Sequence, residues 1–376
     1  MEIAPFETEH FFAEYEFSAR YQLCNSDCES MTIKELLDRA GVTAEGLGRV
    51  ALGYTESQGS PALRARIAED HAGLSAQDFM VLATPIEGIY LAARTLLEPE
   101  DEVVVLTPAY DALINVFEHI VGRERVRRWA LRPTEEGWAL DLDRLRELVS
   151  PRTKLVVVNF PHNPTGYLPT PEWMSELVRI VEEHGMWLFS DEMYFGLVHS
   201  GSAPIPSAAE LSSRAVALSG MSKIYGLPGL RTGWLAARDG EFRSRLMNWK
   251  FYTSICPPAP SEFLSEVALS IRGHLRERSL GQIEANLRLA RAFFERWPEL
   301  FHFRAPRAGS VGLVDMNVPS VQSYARELVR TTGVLILPAA SLGAGERAFR
   351  MGFGRAAFGE ALERFEEELH RTFARR

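Results

Sequence analysis

The sequence predicts an α/β protein built on a mostly parallel sheet with helices on both faces. Five short apolar runs carry that reading: Phe79-Met80-Val81-Leu82, Glu102-Val103-Val104-Val105-Leu106, Leu155-Val156-Val157-Val158, Trp187-Leu188-Phe189-Ser190 and Ala215-Val216-Ala217-Leu218. Their apolar character barely alternates, as expected of strands buried on both faces. Amphipathic stretches separate them, such as Glu172 to His184 with Trp173, Leu177, Ile180 and Val181 at helical spacing. Strand–helix alternation of this kind gives α/β architecture, and its ligands sit beyond the carboxyl ends of the strands.

The second part of the chain reads differently. Helical stretches around residues 261–298 lead into short strands near 311–316 and 334–337, then a terminal helix, a pattern that suits a smaller α+β domain. At 376 residues and 46% hydrophobic, the chain is long enough for two domains. The expected division is 45–270 for the large domain and 1–44 with 271–376 for the small one.

A net charge of −9 argues against a nucleic-acid partner. The basic cluster Arg123 to Arg128 is interrupted by Glu124 and Val126 and reads as a solvated face. No apolar run is long enough to span a bilayer, and the first residues lack the basic and apolar regions of a secretory leader. Cys24, Cys28 and Cys256 are an odd count, so a reducing cytoplasm is expected. Cys24 and Cys28 are too few for a zinc site and read as structural thiols, and no metal is expected.

Only four of the 41 basic residues are lysine, and one of them, Lys223, lies in Ser219-Gly220-Met221-Ser222-Lys223-Ile224-Tyr225 just after a predicted strand. Arginine cannot lose its proton and attack a carbonyl, whereas a lysine amine can form a Schiff base with an aldehyde such as that of pyridoxal phosphate. The pieces around it suit that cofactor. Arg231, eight residues on, can hold a phosphate together with Ser219 and Ser222. Thr84-Pro85-Ile86-Glu87 opens a helix, with Thr84 and Glu87 forming a capping box; its free N–H groups can seat an anion or simply begin a helix. Tyr110 can stack on a pyridine ring or merely pack. Asn163, in Asn159-Phe160-Pro161-His162-Asn163-Pro164-Thr165-Gly166, can donate to a phenolate oxygen, as can Tyr194. Asp191 can keep a pyridine nitrogen protonated or cap a helix, and Arg350 can clamp a carboxylate or form a structural ion pair, with Arg355 the second candidate.

As an ordered set, Asn163-Pro164-Thr165-Gly166, Asp191 with Tyr194, Ser222-Lys223 with Arg231, and Arg350 resembles the class I/II aminotransferases of fold-type I, over roughly residues 30 to 370. The resemblance implies a large domain with a seven-stranded sheet, pyridoxal phosphate, and transfer of an amino group from an amino acid to a 2-oxo acid through Lys223 and pyridoxamine phosphate. It assigns Lys223, Asp191 and Tyr194 to catalysis, Thr84 to Ile86, Ser219 or Ser222 and Arg231 to the phosphate, Tyr110 to ring stacking, Asn163 and Tyr194 to the phenolate oxygen, and Arg350 to the substrate carboxylate.

It also implies a homodimer in which Tyr54, in Gly53-Tyr54-Thr55-Glu56-Ser57-Gln58-Gly59, reaches the neighbour's phosphate. Pro85 departs from the small residue usual in the family, and Gly220 from the serine usual three before the lysine. Phe251 stands where dicarboxylate-specific members carry an arginine, beside Lys250, which leaves an acidic substrate open. Asp27 and Glu29 can receive a cationic amino acid or cap the helix near Thr32. A β- or γ-eliminating lyase or a cyclising enzyme would share these motifs. A cofactor-binding regulator is disfavoured by the acidic charge and the lack of an N-terminal DNA-binding segment.

Overall fold

The computed structural model describes residues 3–135 and 137–373. Its larger sheet has seven strands: β1 (Phe79–Leu82), β2 (Glu102–Thr107), β3 (Val126–Ala130), β4 (Thr153–Asn159), β5 (Trp187–Asp191), β6 (Ala215–Gly220) and β7 (Gly233–Ala236). Their order is β1-β7-β6-β5-β4-β2-β3, and only β7 runs antiparallel to its neighbours. Every expected strand is present. Val126–Ala130 corrects the reading of Arg123 to Arg128 as merely a solvated face: Val126 and Trp129 are buried while the arginines between them face outward, Arg127 pairing with Glu102 at 3.0 Å.

Alternate residues along the central strands enter two separate cores. Met80, Val103, Val105, Val157 and Leu218 pack under the helices Pro85–Leu96, Ala112–Val121 and Gly240–Phe251. Val104, Leu106, Val156, Val158 and Leu188 pack under Pro171–Glu183, the helix expected from the spacing of Leu177, Ile180 and Val181. Covering both faces leaves only the strand ends for a site.

The second sheet is antiparallel, with β8 (Phe301–Phe303), β9 (Val311–Met316), β10 (Leu337–Pro338) and β11 (Ala348–Gly352) in the order β8-β9-β11-β10. The N-terminal segment packs beside it: Tyr21–Gln22 pairs in parallel with Val334–Leu335 in a separate two-stranded sheet, and Gly352 donates its N–H to Leu23 O at 2.8 Å. A Cβ on Gly352 would lie 1.8 Å from Asn25 O, so only glycine lets the two backbones approach this closely.

Candidate active site

A cavity of about 470 Å³ opens at the carboxyl ends of β1, β2, β4, β5 and β6. Because β7 runs the opposite way, the residues preceding it arrive at the same edge. That places Arg231 beside loops that follow the parallel strands. Lys223, Asp191, Tyr194, Asn163, Tyr110, Pro85, Ile86, Ser222, Arg231 and Arg350 all line this one space.

The Lys223 amine donates to Ser26 Oγ at 2.8 Å. Its pKa is lowered, chiefly by desolvation and then by Arg350, although Asp27 and Glu9 pull it back. The Asp191 carboxyl is pushed up to about 7 by burial, and only the Met193 N–H, at 3.0 Å to Oδ1, opposes that shift by a hydrogen bond. Asn159 sets the neighbouring loop: its Nδ2 donates to Asp191 O at 2.8 Å and its Oδ1 accepts from Asn163 N at 2.7 Å. Arg350 is 2% exposed, with Nη1 on Asn163 Oδ1 at 3.2 Å and Nη2 on Cys24 O at 3.0 Å. Asn163 Oδ1 is thereby occupied, which turns its amide nitrogen into the group free to donate. Arg350 Nε is buried without a partner.

His162 bridges two loops beneath the cavity, Nε2 to Pro108 O at 2.9 Å and Nδ1 to Thr165 Oγ1 at 2.7 Å. Burial pushes its pKa down to about 4, so the ring is neutral. A carbonyl can only accept, so Nε2 carries the proton and Nδ1 accepts from Thr165.

Two expectations change at the phosphate side. Thr84 makes no capping bond; its hydroxyl instead accepts from Arg231 Nη2 at 2.5 Å, and Glu87 turns back to Ala83 N at 3.1 Å. Arg231 holds a left-handed φ of 52°, uncommon for a residue with a Cβ, and this conformation aims its guanidinium at Thr84. Ser219 is not brought to the cavity, because its hydroxyl donates to Glu192 O at 3.2 Å inside the core. Tyr54 is absent from this chain's cavity and is 91% exposed.

On the substrate side, Lys250 is fully buried, donating to Ser57 O at 2.7 Å and Ile255 O at 3.1 Å, which removes it from any acidic side chain. Asp27 lines the cavity but is paired with Arg355 at 2.9 Å, while Glu29 accepts from Ala356 N at 2.9 Å. Neither caps the helix Ile33–Ala40, which Thr32 and Glu35 cap between themselves.

Sequence reasoning missed Ser26, which meets Lys223, and the helix Glu7–Tyr15, which forms a wall of the cavity through Thr8, Glu9 and Phe12. Glu9 accepts from the Tyr110 hydroxyl at 2.7 Å and Thr8 Oγ1 donates to Asp111 Oδ1 at 2.7 Å. An amphipathic helix with polar residues on its inner face leaves little signal in sequence. Among the described residues, no group of three His, Cys, Asp or Glu could hold a metal ion.

The residues present fit pyridoxal phosphate. A carboxyl with a raised pKa awaits a cationic partner, a buried guanidinium nitrogen awaits an anion, and a desolvated amine shares their cavity. The chain is 31% identical to capreomycidine synthase of Streptomyces vinaceus over 366 residues, covering 96% of this chain and 92% of that protein. The structure of a PLP-dependent aminotransferase from Streptococcus suis superposes with a TM-score of 0.92 at 28% identity, covering 99% of both chains. That of the PLP-dependent cyclase OrfR superposes with a TM-score of 0.89 at 26% identity, covering 98% of both. Residues 21–365 match the family described as aminotransferase class I and II, whose cofactor is pyridoxal phosphate, and the chain belongs to that family.

Proposed function

We propose that this protein is a pyridoxal-phosphate-dependent aminotransferase in which Lys223 is the proton-moving amine. The observation that carries the reading is a lysine with a lowered pKa in the same cavity as a buried Asp191 and a buried, partly unpartnered Arg350. Bound there, the cofactor supplies an aldehyde that combines with amines and a ring that draws electrons from the substrate Cα.

The protein's own groups divide the remaining work. Arg350 pairs with the amino acid's α-carboxylate and fixes which bond at Cα faces Lys223 Nζ. Lys223 Nζ, whose pKa desolvation lowers, takes the Cα proton. Asp191 would keep the cofactor's ring nitrogen protonated. Asn163 Nδ2 and the Tyr194 hydroxyl, kept neutral because burial raises its pKa, donate to the phenolate oxygen. The Tyr110 ring walls one side. Arg231, Thr84, Ser222 and the N-terminus of Pro85–Leu96, from Pro85 and Ile86 onward, hold the phosphate.

The same reading divides the chain at 45–270 and at 1–44 with 271–376, supported by the pairing of Tyr21–Gln22 with Val334–Leu335. It also makes the protein a cytoplasmic homodimer in which Tyr54 reaches the partner's phosphate. Leu52, Tyr54 and Tyr252 are exposed on segments joined by Thr55 Oγ1 to Pro257 O at 2.7 Å. Sedimentation at micromolar concentration tests the dimer.

Borohydride reduction followed by peptide mapping tests the central assignment: the cofactor is expected on Lys223, and Lys223→Ala protein is expected to retain none covalently. A reducible adduct surviving in that variant removes the assignment. A second reading, cyclisation or elimination on the same cofactor, is favoured by the likeness to capreomycidine synthase. Single-turnover spectra separate the two. A transaminase leaves pyridoxamine phosphate, whereas the alternative regenerates the starting cofactor.

A further inference from the structure

The cavity holds more carboxylate than the chemistry above uses. Arg355 is tied to Asp27, Arg231 lies on the phosphate side with Thr84, and Arg350 faces the α-carboxylate with its buried Nε still unpartnered. Asp191 is committed to the ring nitrogen. Glu9 and Glu16 remain, carried by the helix Glu7–Tyr15 and its C-terminal cap. The spacing of Glu9, Phe12 and Glu16 puts them on one helix face, and all three line the cavity.

Phe12 locates that face. Its ring lies 5.8 Å from the Arg350 guanidinium carbon, so the two carboxylates stand about a turn to either side of the point where a substrate carboxylate docks. Glu9 Oε1 accepts from the Tyr110 hydroxyl at 2.7 Å, and Glu16 Oε1 accepts from Asn25 Nδ2 at 3.2 Å. The second oxygen of each has no hydrogen-bond partner among the described residues. Desolvation raises the Glu16 pKa, and Asp27 and Glu9 push it the same way, while Arg355 and Lys223 pull it back.

We propose that the amino acid processed here carries a distal cation, a guanidinium or an ammonium, received by Glu9 and Glu16. The inference rests on the reading of this cavity as an amino-acid site. A guanidinium presents paired N–H groups that match a carboxylate's two oxygens. An acidic side chain would instead meet two like charges, since Arg355 is neutralised by Asp27 and Lys250 is buried elsewhere.

The test compares arginine with citrulline, which has nearly the same shape without the charge, alongside norleucine and aspartate. Spectral conversion of the holoenzyme gives kcat/KM, and calorimetry on the Lys223→Ala protein gives Kd. Arginine is expected to exceed citrulline by about a hundredfold in both readouts, because a charged group placed against unpaired carboxylates is lost in the neutral analogue. Glu16→Gln and Glu9→Gln should each shrink that ratio at least tenfold, mainly through KM, and Glu16→Asp should restore part of it. Conversion of citrulline or aspartate as readily as arginine overturns the proposal, as does an undiminished ratio in the Glu9→Gln/Glu16→Gln double variant. If no amino acid converts the cofactor, the reading of the site as a transaminase fails, while the calorimetric ratio still decides the charge preference.

Discussion

Pro85 occupies the space into which a side chain on Gly220 would point. A Cβ on Gly220 would lie 2.9 Å from Pro85 Cγ and 2.8 Å from Thr232 O, and one on Gly233, its partner across β6 and β7, would lie 2.6 Å from Pro85 Cα. The two departures from the family pattern are therefore one feature. A proline ring at the start of the helix fills the volume that a serine on β6 would take.

Gly220→Ser alone should overpack this corner and cost about 1–3 kcal/mol in urea unfolding. Pro85→Ala should relieve part of that loss, with a coupling of about 0.5 kcal/mol or more in a double-mutant cycle. Strict additivity would show that the two residues do not compete for the same space.

Asp191 gives the cofactor-free protein a pH signature. A carboxyl whose pKa rises from 3.8 to about 7 on folding binds its proton more tightly in the native state. Its contribution is therefore unfavourable above the unfolded value and grows until pH passes 7, by on the order of 4 kcal/mol. Asp191→Asn should stabilise cofactor-free protein at pH 8 well beyond its effect at pH 4, as measured by chemical denaturation. Adding cofactor to the wild type should flatten the wild-type slope, since a cationic partner then favours the carboxylate.

The fold was legible because burial on both faces leaves a plain mark: Val103–Leu106 and Leu155–Val158 admit almost no polar residue. β3 was hidden because Arg127 and Arg128 interrupt the apolar run on an edge strand. At the site, residues in loops after strands were found by motif. Ser26 and the inner face of Glu7–Tyr15 were not, because their roles arise from contacts with Lys223 and Tyr110 nearly two hundred and about one hundred positions away. Thr84 meets Arg231 rather than capping its helix, because a cap and an arginine ligand use the same hydroxyl.

Arg350→Lys should raise KM for the amino acid at least tenfold while the cofactor spectrum is retained. A lysine ammonium cannot reach Asn163 Oδ1, Cys24 O and a carboxylate in one plane. Steady-state kinetics with a saturating oxo acid would show it, and an unchanged KM would place the substrate carboxylate elsewhere.

Lys250→Met should destabilise the protein by about 2–4 kcal/mol, because Ser57 O and Ile255 O would each lose a charged donor in a buried setting. It should also weaken self-association, since the segments it ties together carry Tyr54 and Tyr252. Loss of stability with an unaltered sedimentation profile would confine its role to folding.

The helix Glu7–Tyr15 precedes the first residue of either sheet, yet it closes one side of the space above Lys223. Trimming residues 3–20 would leave the strands of both sheets and the lysine in place while opening that side to water. Such a shortened protein would separate keeping the cofactor from choosing what reacts with it. Exchanging this one helix between relatives offers a compact way to redirect what the enzyme accepts.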